Sequence, residues 1–409
     1  MSAVWQQILS GAWLTVERMR AYSLILLTAA TLGFAGWVAL SSDGIDRNGK
    51  PIGTDFSNVY AAGALLWQGK PADAYEPSLQ HAAERAAFDG RDVPFFGWHY
   101  PPLFFAVAAL VATLPYLWGL TMWLIAGFAA YLVALRAILP LPQTLLVASA
   151  FPAVFVNVGH GQNGFLTAAL LAGALHWLDR KPWLAGALIA LLAYKPQFGV
   201  LIPLVLLVSM RWRVLAAAVL TGGVLIAVSV AVLGLDVWHA FADSTAFTRT
   251  VVLEQGGTGW EKIQSIFSAF RMWGSDVQFA YAAQLALAMM LAASLAWLWR
   301  SDAAFDLKAS ALATASLLAT PYVLDYDLVV LSISIAFFVR HGLARGFHRG
   351  EISLLALVWI MPLLTRSIAG ACDIPLGLLT MIALYALVLR RAILDRQGVI
   401  MPRLHIAVA

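Results

Sequence analysis

Long apolar blocks recur along the chain and decide what it can fold into. The first block, residues 22–41, has about 20 residues, the length that a helix needs to cross the hydrocarbon core of a bilayer. Further blocks lie at 101–115, 117–139, 143–158, 161–178, 183–210, 214–234, 277–299, 307–322, 326–340, 352–368 and 374–391. With 61% hydrophobic and 12% charged residues, the chain lacks the polar surface of a water-soluble protein. The pattern predicts an all-α polytopic membrane protein with about 12 transmembrane helices.

The basic residues predict which side of the membrane each end of the chain occupies. An even number of spans puts both ends on the cytoplasmic side, as tails 1–21 and 392–409. Basic clusters expected on that side are Arg211/Arg213, Arg300/Lys308, Arg340/Arg345/Arg349 and Arg390/Arg391/Arg396/Arg403. The long polar intervals 42–100 and 235–276 then become external loops. Because the net charge of +4 resides in such clusters, we expect membrane lipids rather than nucleic acid as partners.

One cluster disagrees with this threading. Asp179-Arg180-Lys181 would fall outside, although it carries two cations. Either the positive-inside rule is broken locally, or block 183–210 crosses twice at its Lys195-Pro196 break and an earlier short block does not cross.

The first external loop is expected to form a shelf over the membrane. Residues 58–68 and 77–88 have the pattern of two short amphipathic helices, separated by Gly69 and Pro71. In the second of them, one face is predicted to be apolar and the other polar. The apolar face holds Leu79, Ala82, Ala83 and Ala86, and the polar residues Gln80, Glu84 and Arg85 lie elsewhere.

Asp55 is the leading catalytic candidate. It follows Gly53-Thr54 at the water edge beyond the first span, where partial desolvation would raise its pKa towards that of a useful general base. The alternative is that Asp55 or Thr54 only caps the helix that follows.

Other polar groups lie between the apolar blocks and could line a site. Each has a plain alternative: interfacial aromatic anchors, a snorkelling lysine or solvated turns. The candidates are His99 and Tyr100 before Pro101-Pro102; Gln162 and Asn163 in His160-Gly161-Gln162-Asn163; Lys195 before Pro196; Tyr322, Asp325 and Asp327 in one turn; and Arg249 in the second loop. No Cys/His cluster has zinc spacing and no nucleotide-binding motif is present, so we expect no metal and no cofactor.

These motifs together resemble glycosyltransferase family 87, a group of polytopic GT-C enzymes. The resemblance spans roughly residues 20–340. It rests on Gly53-Thr54-Asp55-Phe56, Tyr100-Pro101-Pro102-Leu103, Gly161-Gln162-Asn163, Tyr194-Lys195-Pro196-Gln197 and Thr320-Pro321-Tyr322-Val323-Leu324-Asp325-Tyr326-Asp327.

The resemblance implies a GT-C fold and an inverting transferase in the bacterial inner membrane. Such an enzyme moves a sugar, typically mannose, from a polyprenyl-phosphate carrier to a lipid or glycan acceptor on the periplasmic side. Asp55 matches the family's early aspartate, the general base. Lys195 matches its Lys-Pro position, and from this we expect Lys195, helped by Arg249, to bind the donor phosphate, while His99, Tyr100 and Asp325 orient sugar hydroxyls.

Two other functions remain open at this point. The broken block at Lys195-Pro196 also fits a transporter or flippase of a lipid-linked sugar, although no inverted repeat is visible. A non-catalytic partner in polysaccharide assembly would tolerate replacement of Asp55.

Overall fold

A computed structural model describes residues 2–398 of the chain, so Arg403 lies outside the described residues. Helices account for nearly all regular structure of that part. The first ten α-helices are α1 Ala3–Ser10, α2 Val16–Ala39, α3 Phe56–Trp67, α4 Pro77–Ala86, α5 Phe105–Val111, α6 Tyr116–Ile138, α7 Thr144–Ser149, α8 Pro152–His160, α9 Gly164–Trp177 and α10 Pro182–Leu191. The others are α11 Ile202–Val208, α12 Trp212–Leu233, α13 Leu235–Phe247, α14 Ile266–Met272, α15 Val277–Arg300, α16 Phe305–Leu318, α17 Leu331–Arg345, α18 Glu351–Ile360, α19 Thr365–Cys372 and α20 Leu376–Arg396.

Short helical segments of other types connect these helices. The 3₁₀ segments are Pro71–Tyr75, Pro102–Phe104, Leu192–Tyr194, Pro196–Gly199, Trp260–Lys262, Asp325–Val330 and Met361–Leu363. Thr248–Glu254 continues α13 as a π-helix. Within residues 2–398, extended pairing is limited to isolated bridges, one of which joins Ile263 to Leu324. The all-helical class is therefore confirmed.

Six helices of the described residues are long and apolar enough to cross a membrane. They are Val16–Ala39, Tyr116–Ile138, Trp212–Leu233, Val277–Arg300, Asp325–Arg345 and Leu376–Arg396. Glu351–Leu363 and Thr365–Cys372, bent by 72°, make a seventh if they count as one span. The multi-pass character is confirmed, whereas the count of about twelve is not. Proline interrupts the helices within several apolar blocks, because it lacks an N–H group and breaks or kinks the interior of a helix.

Contacts at one end of the bundle bear on the conflict over Asp179-Arg180-Lys181. Asp179 Oδ1 lies 2.9 Å from an Arg211 guanidinium nitrogen, so the two ends of the 182–208 segment meet. The chain between them turns back at Lys195-Pro196. Meanwhile the 101–115 block yields only the short helices Pro102–Phe104 and α5, and α5 packs along α3. This geometry is compatible with the second alternative, in which block 183–210 turns back at Lys195-Pro196 and an earlier short block does not cross.

The same end gathers the other predicted basic clusters. The Arg211 guanidinium lies 5.4 Å from the ring centre of Trp299, the residue before Arg300. Arg340 pairs with Asp306 and donates to the Ile138 carbonyl at 3.1 Å, which ties together the ends of α6, α16 and α17. Like-sided positive charge is what the positive-inside rule predicts for a cytoplasmic surface.

Helix α16 forms the centre of the bundle and is buried over almost its whole length. Its small residues let α17 approach closely, as is typical of helix packing in membranes. The Ser334 hydroxyl lies 2.7 Å from both the Ser310 and Thr314 hydroxyls. This packing fixes the start of α17, directly after the 3₁₀ segment that holds Asp325 and Asp327.

Two helices, α3 and α4, lie where the shelf helices were expected, and in α4 the polar face packs on the protein. Most of α3 is buried, including Asn58. In α4, the polar residues Gln80 and Glu84 are buried and Leu79 is 44% exposed. Hydrogen bonds to backbone groups satisfy these buried side chains. Gln80 donates to the Asn58 carbonyl at 3.0 Å, and the Glu84 carboxylate accepts from the Phe96 N–H at 3.0 Å.

Candidate active site

Asp55 lies at the turn that enters α3, and its side chain is free of capping duty. It occupies the N-cap position, but its carboxylate makes no bond to the helix N–H groups. Gly53 sets up the turn with φ +76°, and a Cβ there would come within 2.8 Å of the Leu120 side chain. The structure thus excludes the simple capping alternative for Asp55. The Thr54 hydroxyl forms a hydrogen bond with the His160 ring, at 2.9 Å from Nδ1.

The Asp55 carboxylate, only 8% exposed, is surrounded by groups that favour its charged form. Gln162 Nε2 donates to Oδ2 at 3.0 Å. Lys262 Nζ lies 4.0 Å from Oδ2, and His160 Nδ1 lies 3.9 Å from Oδ1. Burial alone would raise the pKa of this carboxyl, but Lys262, His160 and the Gln162 hydrogen bond outweigh it and hold the pKa below its usual range. The expectation of a raised pKa is therefore wrong: Asp55 is an ionised carboxylate at neutral pH.

The break between α8 and α9 supplies amide groups to the site. Gly161 has φ +60°, and a Cβ there would lie 2.7 Å from the Phe56 side chain, so glycine suits both the conformation and the space. The Tyr100 hydroxyl donates to Gln162 Oε1 at 3.1 Å and accepts from Asn163 Nδ2 at 2.7 Å. Asn163 Oδ1 is buried and has no hydrogen-bond partner among the described residues. The cluster thus offers an unused acceptor next to Tyr100.

Lys195 and Asp327 form a buried ion pair beside this amide cluster. Lys195 Nζ lies 2.7 Å from Asp327 Oδ1, and both side chains are at most 5% exposed. Asp327 Oδ2 accepts from the Leu324 N–H at 3.1 Å. Two charges so placed are largely committed to each other. The pair fixes the Lys195-Pro196 break against the start of α17.

Tyr326 lies between the charged groups and joins them. Its ring centre is 5.1 Å from Lys195 Nζ and 5.7 Å from Lys262 Nζ, and it meets the His160 ring edge-on at 5.8 Å. Such contacts between a cation and an aromatic ring are attractive. Asp325, on the other side of this residue, lies with Oδ2 3.9 Å from an Arg366 guanidinium nitrogen.

Lys262 and Arg366 are the cations of the site whose hydrogen-bonding capacity is least used. Their distances of 4.0 Å to Asp55 and 3.9 Å to Asp325 exceed hydrogen-bond length. Lys262 is buried, whereas the Arg366 side chain is 49% exposed. Both can therefore donate to an anionic ligand without first breaking a direct bond to a carboxylate.

The remaining predicted residues, His99, Tyr322 and Arg249, have different surroundings. His99 Nδ1 contacts the Thr248 hydroxyl at 2.8 Å, and burial lowers the pKa of His99 to about 4, so its ring is neutral. Tyr322 precedes the Asp325 segment and packs in a small cluster with Phe267. Arg249 is not brought to Asp55: its side chain is 65% exposed, and its Nε lies 3.6 Å from Glu254 Oε1.

Sequence reasoning gave no role to three residues of the cluster: His160, Lys262 and Arg366. Arg366 carried a usable signal, because a charge inside the apolar block 352–368 marks a functional position in a membrane protein. Lys262 carried no such signal, because it lies among other charged residues in a polar loop. Within residues 2–398, no group of three or more His, Cys, Asp or Glu side chains is arranged to hold a metal ion.

Comparison with known protein families gives a match. The model of glycosyltransferase family 87 matches residues 98–321, more than half of the chain. This range includes Tyr100, Gln162, Lys195 and Lys262 but not Asp55. Comparisons with curated proteins and with solved structures found no match. The match confirms the resemblance inferred from the motifs, and the chain belongs to glycosyltransferase family 87, a family of sugar-transferring enzymes.

Proposed function

We propose that this glycosyltransferase has a GT-C fold and moves a mannosyl group from a polyprenyl-phosphate carrier to a lipid or glycan acceptor. The observation that carries the proposal is the uncapped, buried and ionised Asp55 beside Lys262, with a second cation, Arg366, beside Asp325; both cations retain free donors. A carboxylate next to anion-binding groups suits a reaction in which a hydroxyl displaces a phosphate. Membership in a transferase family favours this function over the transporter and assembly-partner alternatives.

In the proposed reaction the acceptor hydroxyl oxygen attacks the anomeric carbon from the face opposite the phosphate. The new C–O bond forms as the bond between the anomeric carbon and the phosphate oxygen breaks. The electron pair of the broken bond leaves with the polyprenyl phosphate. Asp55 takes the hydroxyl proton as charge leaves that oxygen. The anomeric configuration is inverted, and because the phosphate is a good leaving group, no strong general acid is needed.

We assign the donor phosphate to Lys262 and Arg366. This revises the expectation for Lys195 and Arg249, because Lys195 is held by Asp327 at 2.7 Å and Arg249 is exposed beside Glu254. Lysine binds phosphate as a point charge and arginine binds it through a fork of N–H groups. Lys195 and Asp327 then fix the shape of the site.

Polar groups around Asp55 are assigned to the sugar and the acceptor. Asn163 Oδ1 offers a buried acceptor without a partner, and the Tyr100 hydroxyl lies beside it. His99, Gln162 and Tyr322 extend the polar wall. Hydroxyl-rich ligands need such paired donors and acceptors.

The proposed location is the bacterial inner membrane, with the site on the periplasmic side. The gathering of basic residues at the opposite end of the bundle supports this orientation. A lipid-linked donor reaches the site through the bilayer, in which its chain is already dissolved.

Donor use by the purified, reconstituted enzyme tests the proposal. Radiolabelled polyprenyl-phosphate-mannose and nucleotide-linked mannose are supplied separately, with a membrane lipid extract as the acceptor source. The proposal predicts labelled product only from the polyprenyl-phosphate donor, with inverted anomeric configuration. Equal transfer from the nucleotide sugar, or retention of configuration, would contradict it.

A further inference from the structure

A cavity of about 770 Å³ lies in the half of the molecule opposite Asp55. Its walls come from the first half of α2 and from α7, α17 and α18. On α2 the lining ends at Leu26, and farther along the helix Phe34 packs against Gly159 of α8, with its ring 3.6 Å from the position of a Cβ there. Helix α2 therefore contacts both α7 and α8, and the cavity lies between its first half and α17 and α18.

The walls of this cavity are almost entirely hydrocarbon. Leu26, Leu135, Val339 and Leu355 are typical of its lining. Its volume is within the range of cavities that hold ligands, roughly 300–1,000 Å³. Water finds too few polar partners in such a cavity to fill it well. Because α2 and α17 belong to candidate spans, the medium that borders the opening is lipid.

The mouth of the cavity, near the start of α2, carries positive charge. Arg18 and Arg20 are exposed and flank the lining residue Met19. Arg345 and Arg349 are exposed on either side of another lining residue, Phe347. Glu17 is an exposed acid on the same turn of α2. This charge pattern complements a lipid phosphate, since each basic residue near the surface attracts anionic lipid.

We propose that this cavity binds one acyl chain of an anionic glycerophospholipid from the leaflet on the amino-terminal side. The chain fills the space between α2 and α17, and the arginines at the mouth contact the phosphate. The site is separate from the donor site. Along α17 the lining runs from Ser332 to Leu343, which is roughly 8 to 24 Å from Asp327 at 1.5 Å per residue. The Phe34–Gly159 contact lies between the two.

Native mass spectrometry of the full-length protein tests the proposal. The protein is taken from vesicles of phosphatidylglycerol and phosphatidylcholine in equal parts, and each retained lipid is counted. We expect the wild type to retain one phosphatidylglycerol in preference to phosphatidylcholine. Phosphatidylglycerol should also raise the midpoint of thermal unfolding by about 3 °C or more, because a ligand that binds only the folded state stabilises it.

Two variants locate the lipid. Ala356→Phe adds a ring to the wall of the cavity and should abolish the retained lipid and its thermal effect. Ala286→Phe makes the same change on the exposed face of α15 and should leave both as in the wild type. If Ala356→Phe does not fold, Ala336→Leu places less bulk in the same cavity and is expected to weaken retention.

Three outcomes would overturn the proposal. The first is equal retention of the two lipids by the wild type. The second is undiminished phosphatidylglycerol binding by a folded cavity variant. The third is displacement of the retained lipid by polyprenyl phosphate, which would make the cavity part of the donor site.

Discussion

At the Asp55 carboxylate, two opposing effects set the charge state. Burial disfavours the charge, whereas Lys262, His160 and Gln162 favour it and prevail. Asp55 can therefore accept a proton without first losing one. A low pKa also makes it a weak base in the ground state, so it acts best as the hydroxyl acquires positive charge during attack.

Replacement of Lys262 by glutamine should change both the pH profile and the rate. Without this cation at 4.0 Å, the pKa of Asp55 rises, so the acidic limb of kcat/KM against pH moves to higher pH. Loss of a charged hydrogen bond to the phosphate should also lower kcat/KM about 10- to 100-fold at neutral pH. Steady-state transfer measured across a pH series gives both results.

Arg249→Gln is the matched control, because it removes one cation from an exposed position of the same loop. We expect its pH profile to coincide with that of the wild type. An unmoved acidic limb in Lys262→Gln would show that this lysine does not set the charge of Asp55.

Individual site residues were predictable only where a local signal existed. Asp55 follows the first span and precedes a helix, and Gln162 and Asn163 interrupt apolar blocks, so each stands out in the sequence. The partners that tune them come from distant segments: Lys262 from the second loop and Arg366 from the bent α18–α19 pair. No periodicity encodes such contacts. Because the sequence does not show contacts between distant segments, Lys195 was expected to bind the donor phosphate, whereas in the structure it pairs with Asp327.

At the scale of elements, α4 shows that an amphipathic pattern does not say which face packs on the protein. The pattern put Leu79 and the alanines on one face, and Gln80 and Glu84, which lie elsewhere on the helix, are the buried side chains. The Phe96 N–H and the Asn58 carbonyl face α4 and need partners, and unpaired buried backbone groups are costly. The polar side chains satisfy them, while small alanines bury little area and can face outward.

The buried acid of α4 predicts a pH dependence of stability. Burial raises the pKa of Glu84 to about 8, whereas in the unfolded chain it is near 4.5. Between these values the unfolded state loses its proton while the folded state keeps it, so this group destabilises the fold increasingly from about pH 4.5 to about 8. Glu84→Gln mimics the protonated acid, so we expect the variant to gain thermal stability over the wild type as pH rises.

The midpoint of thermal unfolding at pH 5 and pH 8 measures this effect. The difference between variant and wild type should be larger at pH 8. Glu76→Gln, at the exposed N-cap of the same helix, serves as the control and should show little change between the two pH values. A constant difference for Glu84→Gln would mean that the acid is ionised in the folded protein throughout.

At the scale of the whole molecule, the apolar blocks predicted the class of fold correctly, whereas the count of about twelve spans is not confirmed. Composition and block length report burial in hydrocarbon, which long helices, short half-helices and bent pairs all provide. Pro196, Pro203 and Pro362 divide blocks that read as continuous. Charge patterning added the correct hint that block 183–210 folds back on itself.

Sidedness is accessible through Cys372, the one cysteine of the sequence. It is exposed at the end of α19, the helix that also carries Arg366. If the site faces the periplasm, a membrane-impermeant maleimide should label Cys372 in spheroplasts. In a Cys372→Ser background, Asp302→Cys, exposed at the opposite end, should be labelled only after the membrane is permeabilised. The reverse labelling pattern would place the site on the cytoplasmic side.

Transfer from polyprenyl-phosphate-mannose by Asp55→Asn, compared with the wild type, tests the role of Asp55 most directly. Asparagine keeps the shape of the side chain and can still contact Gln162, but it cannot take the proton, so we expect a loss of about 10²- to 10⁴-fold in a variant that remains folded. Asp92→Asn, an exposed change in the same loop, should transfer at the wild-type rate. Equal transfer by folded Asp55→Asn and the wild type would contradict the central claim that Asp55 is the base.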